Sequence, residues 1–211
     1  MPQTIRPDAS TTRTAPTTHN NTPAIRGQTT MHGCMDDLNP VSTDYTESLP
    51  GSTGDVFVVG LGDPTTTPAY DVNHIIRVCG SKNASGGANV GFLCELRQSY
   101  VSETDLGTLI ASYVCADLPS TVDTFYRYRL TTTEAALITD YTALSLRFFT
   151  TNARGGAPRS CRLHWAEVEV PTNSETNEST GLSREEFRRK LVGISINQES
   201  DRRTTGSTSR I

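Results

Sequence analysis

The residues of this 211-residue chain whose types could do chemistry are few and scattered. His32, Cys34, Asp36 and Asp37 gather in the run Met-His-Gly-Cys-Met-Asp-Asp at 31–37, and all four are metal-ligand types. One short run offers too few well-placed donors to close a tetrahedral zinc site without distant help. Asp63 occupies a Gly62-Asp63-Pro64 corner, with Asp55 and Asp71 the nearest acidic residues along the chain. A hard cation such as Ca2+ needs several convergent oxygens, and these carboxylates follow no loop pattern of the EF-hand kind. Asp followed by Pro suits the first two positions of a type I turn, so the corner reads as a turn. Gly86-Gly87 reads as a hairpin turn, because no Walker lysine and no strand-to-helix context accompany it, as a phosphate cradle would require. His19, His74 and His164 complete the histidines, and no Gly-x-Ser-x-Gly elbow stands with them. The expectation is a protein without catalytic residues, metal or cofactor.

The five cysteines, Cys34, Cys79, Cys94, Cys115 and Cys161, are odd in number and contain no Cys-x-x-Cys spacing. Neither a closed set of intrachain disulfides nor a zinc ribbon follows. Cys94 shares parity with Val90, Phe92 and Leu96 and is expected in the core, where cysteine behaves as a small apolar residue. Cys79 shares parity with Arg77, and Cys34 lies on the approach to the first long strand. These two are expected as surface thiols.

What positions these groups is a series of short strand-like runs at 56–61, 74–79, 89–98, 108–115, 124–130, 144–150 and 161–170, with an eighth expected within 28–49. Gly, Pro, Asn or Asp separates most of them, the pattern of an all-β sandwich. Tyr126, Tyr128 and Leu130 alternate with Arg127 and Arg129, and Leu144, Leu146 and Phe148 alternate with Ser145 and Arg147. Each strand therefore has one apolar and one wet face. In the last run the apolar parity moves from Cys161 and Leu163 to Ala166, Val168 and Val170, which predicts a bulge near Trp165. The outward Arg77, Arg97, Arg127, Arg129 and Arg147 can form a ladder with Glu95, Glu167 and Glu169, each exposed pair contributing about 0 to 1 kcal/mol. Thr131 three residues before Glu134 is a capping-box spacing and predicts a one- to two-turn helix bridging two sheets.

Residues 1–30, rich in Thr, Pro and Asn, read as an extended arm, 31–171 as the sandwich, and 172–211 as linker, amphipathic helix and polar tail. Ser183 and Glu186 repeat the capping-box spacing, and Phe187, Leu191 and Ile194 share a helical face opposite Arg188, Arg189 and Lys190. Such a helix docks on its own body or in a neighbour's groove. Residues 1–30 hold three Arg against one Asp, and 182–211 hold seven Arg or Lys against four acids, so the total of −4 leaves −9 for 31–181. Basic-leaning arms on an acidic body suit contact with acidic neighbours, including copies of the same body, better than they suit nucleic acid. The candidate partner-binding residues are Arg6, Arg13, Arg26, Phe187, Arg188, Leu191 and Ile194. No run of 18 or more apolar residues and no hydrophobic leader stands in the sequence, so a soluble protein made in a cytoplasm is expected.

Several of these pieces, taken in order, resemble a β-sandwich domain of tailed-bacteriophage virion proteins. They are Leu61-Gly62-Asp63-Pro64, His74-Ile75-Ile76-Arg77-Val78, the stretch from Leu130-Thr131 to Arg147, and Trp165-Ala166-Glu167-Val168-Glu169-Val170-Pro171. Within the third, Glu134-Ala135-Ala136 and Ile138-Thr139-Asp140-Tyr141 carry the likeness. It spans roughly residues 44 to 171, with Cys79, Cys94 and Gln98-Ser99 departing from the pattern. The resemblance implies a jelly-roll-like sandwich in a non-enzymatic virion component such as a capsid decoration, neck or collar protein. Its partners would be other virion proteins and copies of itself, with no direct contact to nucleic acid or membrane. A particle assembled in a reducing host cytoplasm and released into an oxidising medium could then be locked by interchain disulfides at Cys34 and Cys79. The alternative is a carbohydrate-binding module for host attachment, which would stack sugars on Trp165, Tyr100, Tyr113 or Tyr141.

Overall fold

Val90, Phe92, Cys94 and Leu96 alternate along strand β6 (Val90–Gln98), and every one is buried, as the parity of the sequence requires. The computed structural model describes residues 2–8, 24–26, 30–51, 53–121, 125–152 and 156–172. In these, β1 (Gln3–Ile5), β2 (Ala24–Arg26), β3 (Tyr45–Glu47), β4 (Val56–Gly60) and β5 (Ile75–Lys82) precede β6. Strands β7 (Thr108–Cys115), β8 (Phe125–Arg129), β9 (Leu144–Asn152) and β10 (Cys161–Val170) follow it. One sheet has the order β2-β3-β10-β5-β8, with β1 also paired to β10, and the other has the order β4-β9-β6-β7. All pairings are antiparallel. The described residues are therefore all-β with very little helix, and the expected runs match the long strands.

One core joins the two sheets. Phe57, Phe92, Leu96 and Phe148 of the four-stranded sheet cluster with Ile76, Val78, Leu163 and Val168 of the other, all fully buried. Phe92 meets Phe148 edge to face at 5.6 Å. The predicted bulge lies between Leu163 and Trp165, where the pairing of β10 with β5 shifts and the apolar parity changes. The predicted cap is also present. Glu134 donates its backbone N–H to Thr131 Oγ1 at 3.2 Å, and its carboxylate accepts the Thr131 N–H at 2.7 Å. It starts helix α1 (Thr132–Ala135), a single turn that carries the chain from β8 in one sheet to β9 in the other.

Two expectations need correction. The first concerns residues 1–30, because β1 pairs with β10 over Gln3–Ile5 and β2 pairs with β3. Ile5 is buried in the core, so this part of the expected arm belongs to the body, while residues 9–23 lie outside the described residues. Described N-terminal segments line one edge of β10. β3 covers Arg162 and Leu163, β1 covers Val168 to Val170, and between them the Ala166 N–H donates to Met35 O at 3.2 Å. A bulged strand end with open N–H groups is satisfied by whatever backbone lies alongside, and here that backbone is N-terminal.

The second correction concerns Gly86-Gly87. The strands they join, β5 and β6, lie in different sheets, so they form no hairpin. Both glycines have positive φ, and a Cβ on Gly87 would stand 2.7 Å from Ala157 O. Arg159 holds the loop by donating to Gly86 O and Ser85 O. At the Gly62-Asp63-Pro64 corner the N-terminus adds a stitch, because Leu61 bridges Pro7 and the Gly62 N–H donates to Arg6 O at 2.7 Å.

Candidate interaction surface

Over β6 and β9 the outer face of the four-stranded sheet is not wet. In register, Glu95 of β6 stands beside Arg147 of β9, and Arg97 lies two residues on. All three are less than a tenth exposed, because the loop between β6 and β7 folds back over them and places Tyr100 and Glu103 on top. Arg147 grips Glu103 with two hydrogen bonds, at 2.9 and 2.6 Å, and donates a third to Glu95 Oε2 at 2.9 Å. Arg97 donates to the same Glu95 oxygen at 2.8 Å and to Leu106 O at 3.2 Å. Burial pushes the Glu95 carboxyl upward, but the bonds from Arg97 and Arg147 outweigh it and the net shift is downward. Arg147 holds Glu103 low as well. Val56, Val58 and Tyr100 form a small second core beside this network. The loop returns to β7 through Gly107 at φ +61, where a Cβ would lie 2.3 Å from Gln98 O.

On the outer face of the six-stranded sheet the expected ladder is present in part. Glu167 accepts from Arg77 at 2.7 Å and from Arg6 at 3.1 Å, and Arg77 also pairs with Glu169. The candidate partner-binding Arg6 is thus bonded within its own chain. Register explains it, because Ile5 opposite Val168 puts the next residue, Arg6, beside Glu167. Arg26 lies at the end of β2, while Arg13, Phe187, Arg188, Leu191 and Ile194 lie outside the described residues.

The thiols expected at the surface are buried. Cys79 is fully enclosed, because its register neighbours Trp165 and Phe125 flank it on the same face and pack edge to face at 5.5 Å. Cys34 ends a 3-10 turn (His32–Cys34) and packs with Met31 and Met35 in the core. Both thiols therefore lie inside the described body and not at its surface. Cys94, Cys115 and Cys161 are buried too, and burial pushes their thiols up, Cys115 to about 12. Native protein treated with an aromatic disulfide reagent at neutral pH should therefore release fewer than one equivalent rapidly, and all five after denaturation. Rapid native reaction of one or two thiols would contradict this burial.

The remaining candidate groups do not converge. His32 contacts Thr30 Oγ1 at 3.1 Å, Cys34 points into the core and Asp36 is exposed. Among the described residues no group of three or more His, Cys, Asp or Glu is placed to hold a metal. Asp55 accepts the Leu49 N–H at 3.0 Å and lies beyond the opposite end of β4 from Asp63. Two buried histidine pairs escape sequence reading altogether. His74 Nε2 lies 2.6 Å from Tyr141 Oη. His164 Nε2 lies 2.8 Å from Ser81 Oγ, with its Nδ1 3.2 Å from Asp44 O. The second pair has the spacing of an activated serine, yet Ser81 and His164 are only 2% and 1% exposed. It ties β5, β10 and the 41–45 segment together.

Among the described residues several apolar side chains are exposed. Leu109 and Val114 of β7 are 43% and 64% exposed, Phe125 51% and Leu38 77%. Of the aromatics a sugar platform would use, Trp165 donates its indole N–H to Asp37 O and is buried, as are Tyr100 and Tyr141. Tyr113 is half-buried and stacks on Tyr128 at 5.2 Å. No protein-family model matches the chain, and no curated protein does.

Proposed function

We propose that the chain is a non-enzymatic structural component of a tailed-phage virion, built as a jelly-roll-like sandwich that attaches to neighbouring virion subunits. The observation that carries this reading is the inward engagement of its reactive groups. Cysteine thiols, His74, His164, Ser81 and the Glu95 network are turned into their own fold, while exposed apolar side chains remain along a sheet edge. The sandwich reading draws support from the connections. From β3 onward every link passes between sheets except the one from β6 to β7. The sequence resemblance over 44 to 171 points the same way and spans β3 to β10 of the described body. In the particle, made in a host cytoplasm, the block would sit in the capsid exterior or the neck, with the basic-leaning C-terminal stretch reaching acidic neighbours. Carbohydrate binding, the second reading, loses Trp165, Tyr100 and Tyr141 as stacking platforms because they are buried.

The test is particle association in infected cells that supply the chain from a plasmid. Full-length chain should co-sediment with particles, and a variant lacking residues 177–211 should remain in the soluble fraction while keeping the thermal transition of the body. A full-length chain that never enters particles would overturn the proposal.

A further inference from the structure

Sheet edges present unpaired N–H and C=O groups, and proteins guard them by shortening, charging or covering the strand. Three described edges are guarded in these ways. β4 is wholly buried, and residues 6–8 lie against its end, with the Asp8 N–H donating to Gly60 O at 3.1 Å. β8 has five residues, including the exposed Arg127 and Arg129, and β2 has three. β7 is different. It has eight residues, Thr-Leu-Ile-Ala-Ser-Tyr-Val-Cys, with no charge and no proline, and among the described residues it pairs with β6 alone.

A second observation points to the same edge. Register aligns Val56, Phe149, Leu93 and Val114 in one row across the outer face. Val56 at the far end is 3% exposed, whereas Val114 at the β7 end is 64% exposed. The apolar row runs to the edge and ends in water.

We propose that β7 joins two copies of this chain, antiparallel about a two-fold axis, so that the two four-stranded sheets continue as one. This rests on reading the chain as an assembly block and names the surface it uses toward itself. Charge selects a second copy as the occupant. A strand lying on a two-fold axis faces itself, so every charge on it would oppose its like. β8 would set arginines against arginines, while β7 has nothing to repel. The body as a whole is acidic, so an uncharged strand is where copies meet with the least local repulsion, and the flanking Asp105 and Asp117 lie outside it. The pairing shift near Leu96 leaves Ala111–Cys115 as the regular stretch. Centring the axis on Tyr113 sets Ser112 of one copy against Val114 of the other and makes the two Val114 diagonal neighbours, so each strand covers the exposed end of the other's apolar row.

The test is sedimentation equilibrium of the full-length chain. Wild type should approach twice 22.9 kDa as concentration rises. Val114→Lys and Ser112→Lys should weaken the dimer at least about tenfold while leaving the unfolding transition in place, because both positions are exposed. Leu38→Lys, at an exposed site far along the chain, should leave the dimer intact. A wild type that stays monomeric at about 100 µM, or a dimer indifferent to both β7 lysines, overturns the proposal. If the lysine variants unfold, hydrogen exchange on wild type decides. Amides of 111–115 should gain protection with concentration, and no gain overturns it. Particle association is read separately, so a monomer that still enters particles would sink the dimer and leave the structural role standing.

Discussion

Glu95→Ala should lower the free energy of unfolding by about 3 kcal/mol, because it leaves two guanidinium groups facing each other beneath a closed loop. Glu95, Arg97 and Arg147 have side chains about a tenth exposed, with the carboxylate between the two arginines at 2.8 and 2.9 Å. Removing one partner of a buried ionic group costs far more than the group contributes against an apolar replacement, since the desolvated charge remains. Arg97 keeps Leu106 O and Arg147 keeps Glu103, which holds the loss near the lower end of that range. Glu103→Ala is the control. Its side chain is 37% exposed, and the expected cost is about 1 kcal/mol. Urea denaturation at pH 7 reads both, and a Glu95→Ala loss no larger than that of Glu103→Ala would contradict the buried network. The depressed Glu95 carboxyl also sets a pH window. Its contribution is present above its ordinary 4.5 and is lost as pH falls through the lower folded value.

Stability should fall by about 3 kcal/mol between pH 6.5 and pH 4 through His74 alone. Burial lowers this imidazole from 6.5 to about 4, and the ring is fully enclosed against Tyr141. A base whose folded value is depressed binds its proton more readily in the unfolded chain. The stability is therefore complete above 6.5 and drains away as pH approaches 4. His164, lowered for the same reason of burial, adds to the slope with the same sign. His74→Gln keeps a neutral hydrogen-bonding group beside Tyr141 and should flatten its share of the pH dependence. Unfolding curves at pH 7, 5.5 and 4.5 measure it, and a slope unchanged in the variant would contradict the assignment.

Both effects arise where sequence reading reached its limit, and the reason is physical. Parity along one strand tells which residues share a face, and it placed Phe92, Cys94 and Leu96 correctly inside. The register shift after Leu163 and the Thr131–Glu134 cap were legible because each is a local pattern. Parity cannot tell what covers the opposite face. Glu95 and Arg97 are buried by a loop that folds back on them, and Arg147 comes from a strand some fifty residues away. Cys79 has the parity of Arg77, yet Trp165 and Phe125 close over it from both neighbouring strands. The three-residue strands at Gln3 and Ala24 carry little signal of their own, since pairing with β10 and β3 is what orders them. Of the partner-contact residues expected from sequence, Arg6 is the clearest lesson. A cation in a Thr- and Pro-rich stretch looks solvated until the register shows Glu167 beside it.

The most direct test of the proposed virion role is a cryo-EM reconstruction of phage particles assembled in the presence of this chain. A closed ten-strand block in the shell or neck, touching other virion subunits, is the expected density. A particle fully accounted for by other proteins, with this chain left in the lysate, would contradict the account at its root.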